Sequence, residues 1–282
     1  MLNLPAFKVG KNKKNNFMFN YRNTTVACFL LVFAFAIFGL LLGNQWLLVA
    51  GLFVLIVWIT LLVLGSIFIQ WNFYLFSHSH SDRNTPEIAI TFDDGPDENI
   101  TPEILSILEK YNIKAAFFCI GEKIEKHPEL FKKIVEHGHI TGNHSYSHSF
   151  WFDFYSSKRM EEEITITDEL ILNLTGSKPK FFRHPYGVTN PMLKKALKRT
   201  GHIPVSWSLR SNDTVKSPEK VLFSINQKLN NGDIVLFHDS MPETPGLVEQ
   251  FIISTQNKGI EFVGLDELLK FTRYDNPTFK YL

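Results

Sequence analysis

Five short segments carry side chains able to share one hydrolytic site: Thr91-Phe92-Asp93-Asp94-Gly95-Pro96, His144-Ser145-Tyr146-Ser147-His148, Arg183-His184-Pro185-Tyr186-Gly187, Ser211-Asn212-Asp213 and Leu236-Phe237-His238. In the first, two adjacent acids end an apolar run, and the Gly-Pro turn behind them breaks strand alternation, so both carboxylates can reach one mouth. Asp94 can then ligate a metal ion while Asp93, left free, accepts a proton from the attacking water. His144 and His148 are four apart, so on a helical turn both imidazoles leave one face at a spacing that grips one ion. With Asp94 they supply two nitrogens and a carboxylate, leaving positions open for water and substrate. The same ligand set serves non-haem iron. Hydrolysis needs only a Lewis acid, so a redox-inert divalent ion is expected, Zn2+ ahead of Co2+, Ni2+ or Mn2+.

The other segments complete the chemistry. Arg183 can hold Asp93 ionised and oriented. Pro185-Tyr186-Gly187 makes a turn whose backbone N–H can face a developing oxyanion while the Tyr186 ring lines the pocket. His238, at the end of an apolar run, is placed to protonate a leaving amine, and Asp213 can pair with it and raise its pKa. Pro185, Tyr186, Arg210 and Leu236 are the expected substrate contacts.

These residues need a scaffold that gathers them. From Glu87 onward short apolar runs alternate with amphipathic stretches, with strands expected near 87–92, 115–120, 139–142, 180–183, 203–208, 233–237 and 260–263. Thr101-Pro102-Glu103 reads as a helix start, with an N-cap, a proline at the first helical position and an acid in the first turn. Alternating strands and helices imply a mainly parallel sheet, open or closed into a barrel, whose ligands sit at the carboxyl ends of the strands. All five motifs fall there or in the loops just beyond.

With those motifs in place, the chain resembles the polysaccharide deacetylase family, the NodB-homology domain of carbohydrate esterase family 4. The resemblance covers about residues 85 to 270. The family's first three motifs stand intact at 91–96, 144–148 and 183–187. It implies a deformed (β/α) barrel of about seven strands, zinc or a similar ion on Asp94, His144 and His148, Asp93 as base, Tyr186 N–H in the oxyanion hole and His238 as acid. The implied substrate is an N-acetylated glycan, with N-acetyl or N-formyl as the group removed. The fourth motif departs: where the family commonly has Asp-x-x-Asp-Trp, this chain has Arg210-Ser211-Asn212-Asp213-Thr214. Only Asp213 carries over. An apolar wall is lost and the cation Arg210 gained, which suits an anionic, phosphate-bearing lipid-linked sugar.

The N-terminal quarter has another composition. Residues 1–76 hold five of the 29 basic residues and none of the 28 acidic ones, so the rest carries about −4 with His neutral. A basic segment, 1–25, precedes a membrane region, 26–76, with uncharged runs at 26–43 and 46–69 long enough to span a bilayer. Trp46, Trp71 and Tyr74 stand where interfacial aromatics belong. The expectation is an integral membrane protein in contact with lipid, a helical hairpin followed by a linker at 77–86, the catalytic domain at 87–270 and a tail at 271–282. Two spans return the domain to the cytoplasm under the positive-inside rule, whereas one span puts it outside. A cleaved signal peptide fits less well, because Ala34-Phe35-Ala36 lies inside the apolar run. Cys28 and Cys119 both sit in apolar runs, and no disulfide framework is expected.

Other functions find no support in the residues. There is no Gly-x-Ser-x-Gly elbow, no Gly-x-x-x-x-Gly-Lys loop, and no basic stripe for nucleic acid. A glycan-binding protein that keeps the fold without the catalysis is the remaining rival.

Overall fold

The computed structural model describes residues 19–271. Most of the basic segment, with Lys8, Lys11, Lys13 and Lys14, and the expected tail beyond Phe271 lie outside the described residues. The chain divides into two compact units, one up to Gly65 and one from Ser66 onward.

The first unit is built from α1 (Tyr21–Leu41) and most of α2 (Gln45–Ile67), which are long and apolar enough to cross a membrane, with mean hydropathy 2.5 and 3.1 over their most apolar stretches. α1 starts five residues before the expected run because the Asn20 side chain accepts from Asn23 N and caps it there. Small residues let the helices approach: a Cβ on Gly51 would lie 3.2 Å from Phe35 Cβ.

The second unit alternates strand and helix: β1 (Glu87–Asp93), α3 (Ile100–Lys110), β2 (Ala116–Cys119), α4 (Gly121–Lys126), α5 (Pro128–Glu136), β3 (Ile140–Asn143), α6 (Ser157–Thr175), β4 (Phe181–Phe182), α7 (Pro191–Thr200), β5 (Ile203–Pro204), β6 (Leu209–Arg210), α8 (Pro218–Lys228), β7 (Ile234–His238), α9 (Thr244–Gln256), β8 (Glu261–Phe262) and α10 (Leu265–Leu269). The named strands pair in parallel in the order β5-β4-β3-β2-β1-β7-β6, with β8 beside the start of β1, and curl into an incomplete barrel. Every expected strand appears. The run 203–208 is shortened to β5, and β6 forms just beyond it at Leu209–Arg210, so the sheet has eight strands.

The break between β5 and β6 opens a seam, and the residues expected to be a linker fill it. His78 N donates to Pro204 O at 2.9 Å, Ser206 N to His78 O at 2.9 Å, and Ser81 N to Gly232 O at 2.8 Å. Phe73, Tyr74, Leu75 and Ser77 are buried. The segment 77–86 is therefore part of the folded unit, because unpaired strand edges at the seam need backbone partners. His78 is half-buried, and burial pushes its pKa down to about 4.

Two layers of core position the site. Alternate residues of β1 and β7 (Ile88, Ile90, Phe92, Val235, Phe237) pack outward on α3, α5, α8 and α9. The intervening positions Ala89 and Ile234 join Phe118, Phe181 and Leu265 and Leu268 of α10 inside the barrel. Both faces of these strands are thus covered, which is why they read as continuous apolar runs. The start of α3 differs from expectation: the helix begins at Ile100, with the Asp97 carboxylate accepting from Asn99 and Ile100 N–H, and Thr101 is buried inside the first turn.

Candidate functional site

Parallel register brings the motifs to the carboxyl end of the sheet. Asp93 on β1 lies beside His238 on β7, and Asn143 on β3 beside Phe182, one residue before Arg183. Asp94 then leaves the strand in a left-handed conformation, φ 76°, which swings its carboxylate to the same mouth as Asp93. Only a glycine can follow it, since a Cβ on Gly95 would stand 2.0 Å from an Asp239 carboxylate oxygen.

Asp94 Oδ1 lies 3.4 Å from His144 Nε2 and 3.4 Å from His148 Nε2. A tetrahedral ion with bonds of about 2.0–2.2 Å separates its ligands by about 3.3–3.5 Å, so these three atoms fit one divalent ion. They alone, among the described residues, form such a cluster. His144 Nδ1 sits 2.7 Å from Arg183 O, which fixes the tautomer that leaves the Nε2 lone pair facing Asp94. The three groups are shifted in different directions. Burial would raise the Asp94 pKa, but the neighbouring His144, His148 and His238 pull it below the usual carboxylate range. Burial and the neighbouring His144 push His148 down to about 4, keeping it a neutral ligand. For His144, burial is outweighed by Asp93 and Asp94, and its pKa rises.

The four-residue spacing of the histidines is not helical. The loop after β3 reverses through Ser145 (φ 65°) and His148 (φ 47°), and the two rings meet at 4.9 Å. The residues that hold this loop carried no signal in the sequence reading. The Asn143 side chain accepts from Ser145 N at 2.9 Å, and Glu163 of α6 accepts from Tyr146 N, Ser147 N and Ser147 Oγ at 2.8–3.2 Å. Glu163 lies 15 residues from the nearest ligand in sequence, and only the packing of α6 brings it here.

Arg183 is fully buried and closes the seam from within. Its guanidinium donates to Asp93 Oδ1 (2.8 Å), Thr91 Oγ1 (2.8 Å), Val205 O (3.3 Å) and Ser206 O (3.0 Å), and lies 4.0 Å from the Phe118 ring centroid. Burial lowers its pKa and Asp93 opposes that. With Oδ1 engaged, Asp93 turns Oδ2 toward His144, 3.9 Å away.

His238 mirrors it on the other side. Asp213 Oδ1 lies 2.7 Å from His238 Nδ1, and its other oxygen accepts from His238 N and Thr244 Oγ1. Burial alone would lower the His238 pKa, but the bond and charge of Asp213 raise it. Asp239, the next residue, is buried, accepts from Thr101 Oγ1 and is pushed up to about 7 by burial.

The expected substrate contacts divide. Tyr186 is half exposed in a left-handed turn (φ 56°), its hydroxyl donating to His148 O, and Arg210 is exposed beside Trp207 at the end of β6. Pro185 is buried beneath that turn. Leu236 is 1 % exposed within β7, between Thr91 and Arg210 in register, so it is strand interior and not open lining.

Residues 80–205 match the family model described as polysaccharide deacetylase. A peptidoglycan-N-acetylglucosamine deacetylase of Bacillus cereus is 34 % identical over 203 residues, covering 67 % of this chain and 70 % of its own. Among solved structures, a peptidoglycan N-acetylglucosamine deacetylase superposes with TM-score 0.66 at 31 % identity over 71 % of this chain and 95 % of its own. The chitin deacetylase of the fungus Colletotrichum lindemuthianum does so with TM-score 0.66 at 26 % identity, over the same shares. The geometry of the mouth and these likenesses converge, and the chain belongs to the polysaccharide deacetylase family, hydrolases of carbon–nitrogen bonds other than peptide bonds.

Proposed function

We propose that this chain is a metal-dependent enzyme that hydrolyses the N-acetyl amide of an amino sugar in a polysaccharide or lipid-linked glycan, anchored to a membrane by α1 and α2. The observation that carries the reading is that two proton-handling groups, side by side on neighbouring strands next to one ligand triad, are each held by a partner: Asp93 by Arg183, and His238 by Asp213. Asp94, His144 and His148 would hold Zn2+ or a similar divalent ion, which when bound would supply Lewis-acid polarisation of the amide carbonyl and acidify water.

The chain's own groups do the rest. Asp93, with Oδ1 fixed by Arg183, takes the proton of the attacking water on Oδ2. Tyr186, held in its left-handed turn, offers its backbone N–H to the oxygen that gains charge as the carbonyl carbon becomes tetrahedral. His238 has Nδ1 committed to Asp213, so its Nε2 proton goes to the nitrogen as the C–N bond breaks, releasing acetate and the amino sugar.

Asp94→Ala is expected to abolish metal content and acetate release together, whereas Asp93→Asn abolishes release and keeps the metal. Elemental analysis and an acetate assay on the purified full chain check this; activity retained in both would sink the mechanism. The exposed guanidinium of Arg210 at the mouth supports preference for an anionic glycan. Arg210→Ala is expected to lower kcat/KM about 5- to 100-fold on a phosphorylated amino sugar, and less on a neutral one. Equal effects on both remove that preference.

A further inference from the structure

We infer that Phe150, Trp151 and Phe154, together with Tyr186, form an aromatic platform that binds a linear chain of pyranose sugars leading away from the reaction centre. This rests on the reading of the site as one for a glycan. Large apolar rings are normally hidden, yet Phe150, Trp151 and Phe154 are 72 %, 61 % and 79 % exposed. They also form a chain of ring contacts, each ring tilted or edge-on to the next at 53° to 83°. The Tyr186 ring lies 4.7 Å from that of the ligand His148, Phe150 lies 6.3 Å from Tyr186, Trp151 lies 5.3 Å from Phe150, and Phe154 lies 5.9 Å from Trp151.

The loop that carries the rings is built to hold them out. Phe152 between them is fully buried with Leu75, Met160 and Phe182, Asn190 Nδ2 donates to Asp153 O at 2.9 Å, and Ser149 Oγ accepts from Trp151 N at 3.2 Å. The buried Phe152 thus anchors a pinned turn from which the exposed rings project, and these lose little further freedom when covered. A pyranose presents an apolar face of C–H groups that lies flat on an aromatic ring, and equatorial hydroxyls that need polar company at the edge. A lipid surface would equally cover rings, but it gives no reason for the ring contacts to begin at a metal ligand.

The test is calorimetric binding of N-acetylglucosamine and chitin oligomers of increasing length to the purified full chain, alongside acetate release. The dissociation constant is expected to fall as the oligomer lengthens. Trp151→Ala and Phe154→Ala should each weaken binding of the longer oligomers about three- to tenfold and flatten the length dependence. Trp151→Phe should restore it, which a merely structural role of the indole would not. An inactive wild-type chain that still shows this ring-dependent binding defeats the deacetylase reading and keeps the platform. Length dependence that survives both alanine substitutions, or is missing from the wild type, overturns the platform. So does oligomer binding left unchanged in both variants, which would assign the rings to a lipid surface.

Discussion

His238 and Asp213 show how one side chain sets the working range of another. An acid that donates to a leaving amine acts only while protonated, so activity falls as pH rises through its pKa. Burial lowers the His238 pKa and Asp213 raises it, with the net shift upward. Asp213→Asn removes the raising charge and leaves the burial. The alkaline limb of the kcat profile is then expected to move to lower pH, with kcat down about 10²- to 10⁴-fold at its former optimum. A pH profile of the purified variant checks this, and an unmoved alkaline limb would show that His238 is not the acid. The pair was legible in the sequence because both residues close short motifs. Asp239 was not singled out, although it adjoins His238, since nothing in its neighbours announces that it will be buried against Gly95.

Among the elements, α6 matters most for the metal site without supplying a ligand to it. Its Glu163 takes the N–H groups of Tyr146 and Ser147, inside the loop that joins the two histidine ligands. Glu163→Ala leaves these part-buried donors without partners, at about 1–3 kcal/mol each. The expected outcome is metal affinity down about 10- to 100-fold, with Glu163→Gln losing less because its amide oxygen still accepts. Chelator competition on the folded variants measures it; unchanged affinity in Glu163→Ala would mean that the loop holds itself. The helix was legible from its apolar periodicity, with Met160, Ile164, Thr167 and Ile171 on the buried face. Its contact with the loop was not, because it depends on α6 crossing behind β3.

At the scale of the whole molecule, the boundary of the catalytic unit lies at Ser66, some twenty residues before the first motif strand. A chain beginning at Ser66 is expected to fold and bind metal. One beginning at Glu87 lacks Phe73, Tyr74 and Leu75 and the backbone bonds of His78 and Ser81. Burying three such side chains contributes about 1.5–3 kcal/mol each, a large part of a domain's stability, so the shorter chain should unfold at a much lower temperature or not fold. Thermal unfolding of the two chains decides; equal midpoints would return 77–86 to the status of a linker.

The candidate ligands, base and acid were readable from residue types alone, because chemistry restricts which side chains can ligate, donate or accept, and these occur in compact motifs at strand ends. The apolar runs of α1 and α2 and the alternation of strand and helix were readable for the same local reason: periodicity and length are properties of the chain. Three features depended on contacts between residues far apart. They are the left-handed loop that brings His144 and His148 together, the Arg183 side chain that replaces missing strand pairing at the seam, and the segment around His78 that completes it. Each satisfies backbone or charge that another part of the fold leaves exposed, and that demand exists only once the sheet has curled.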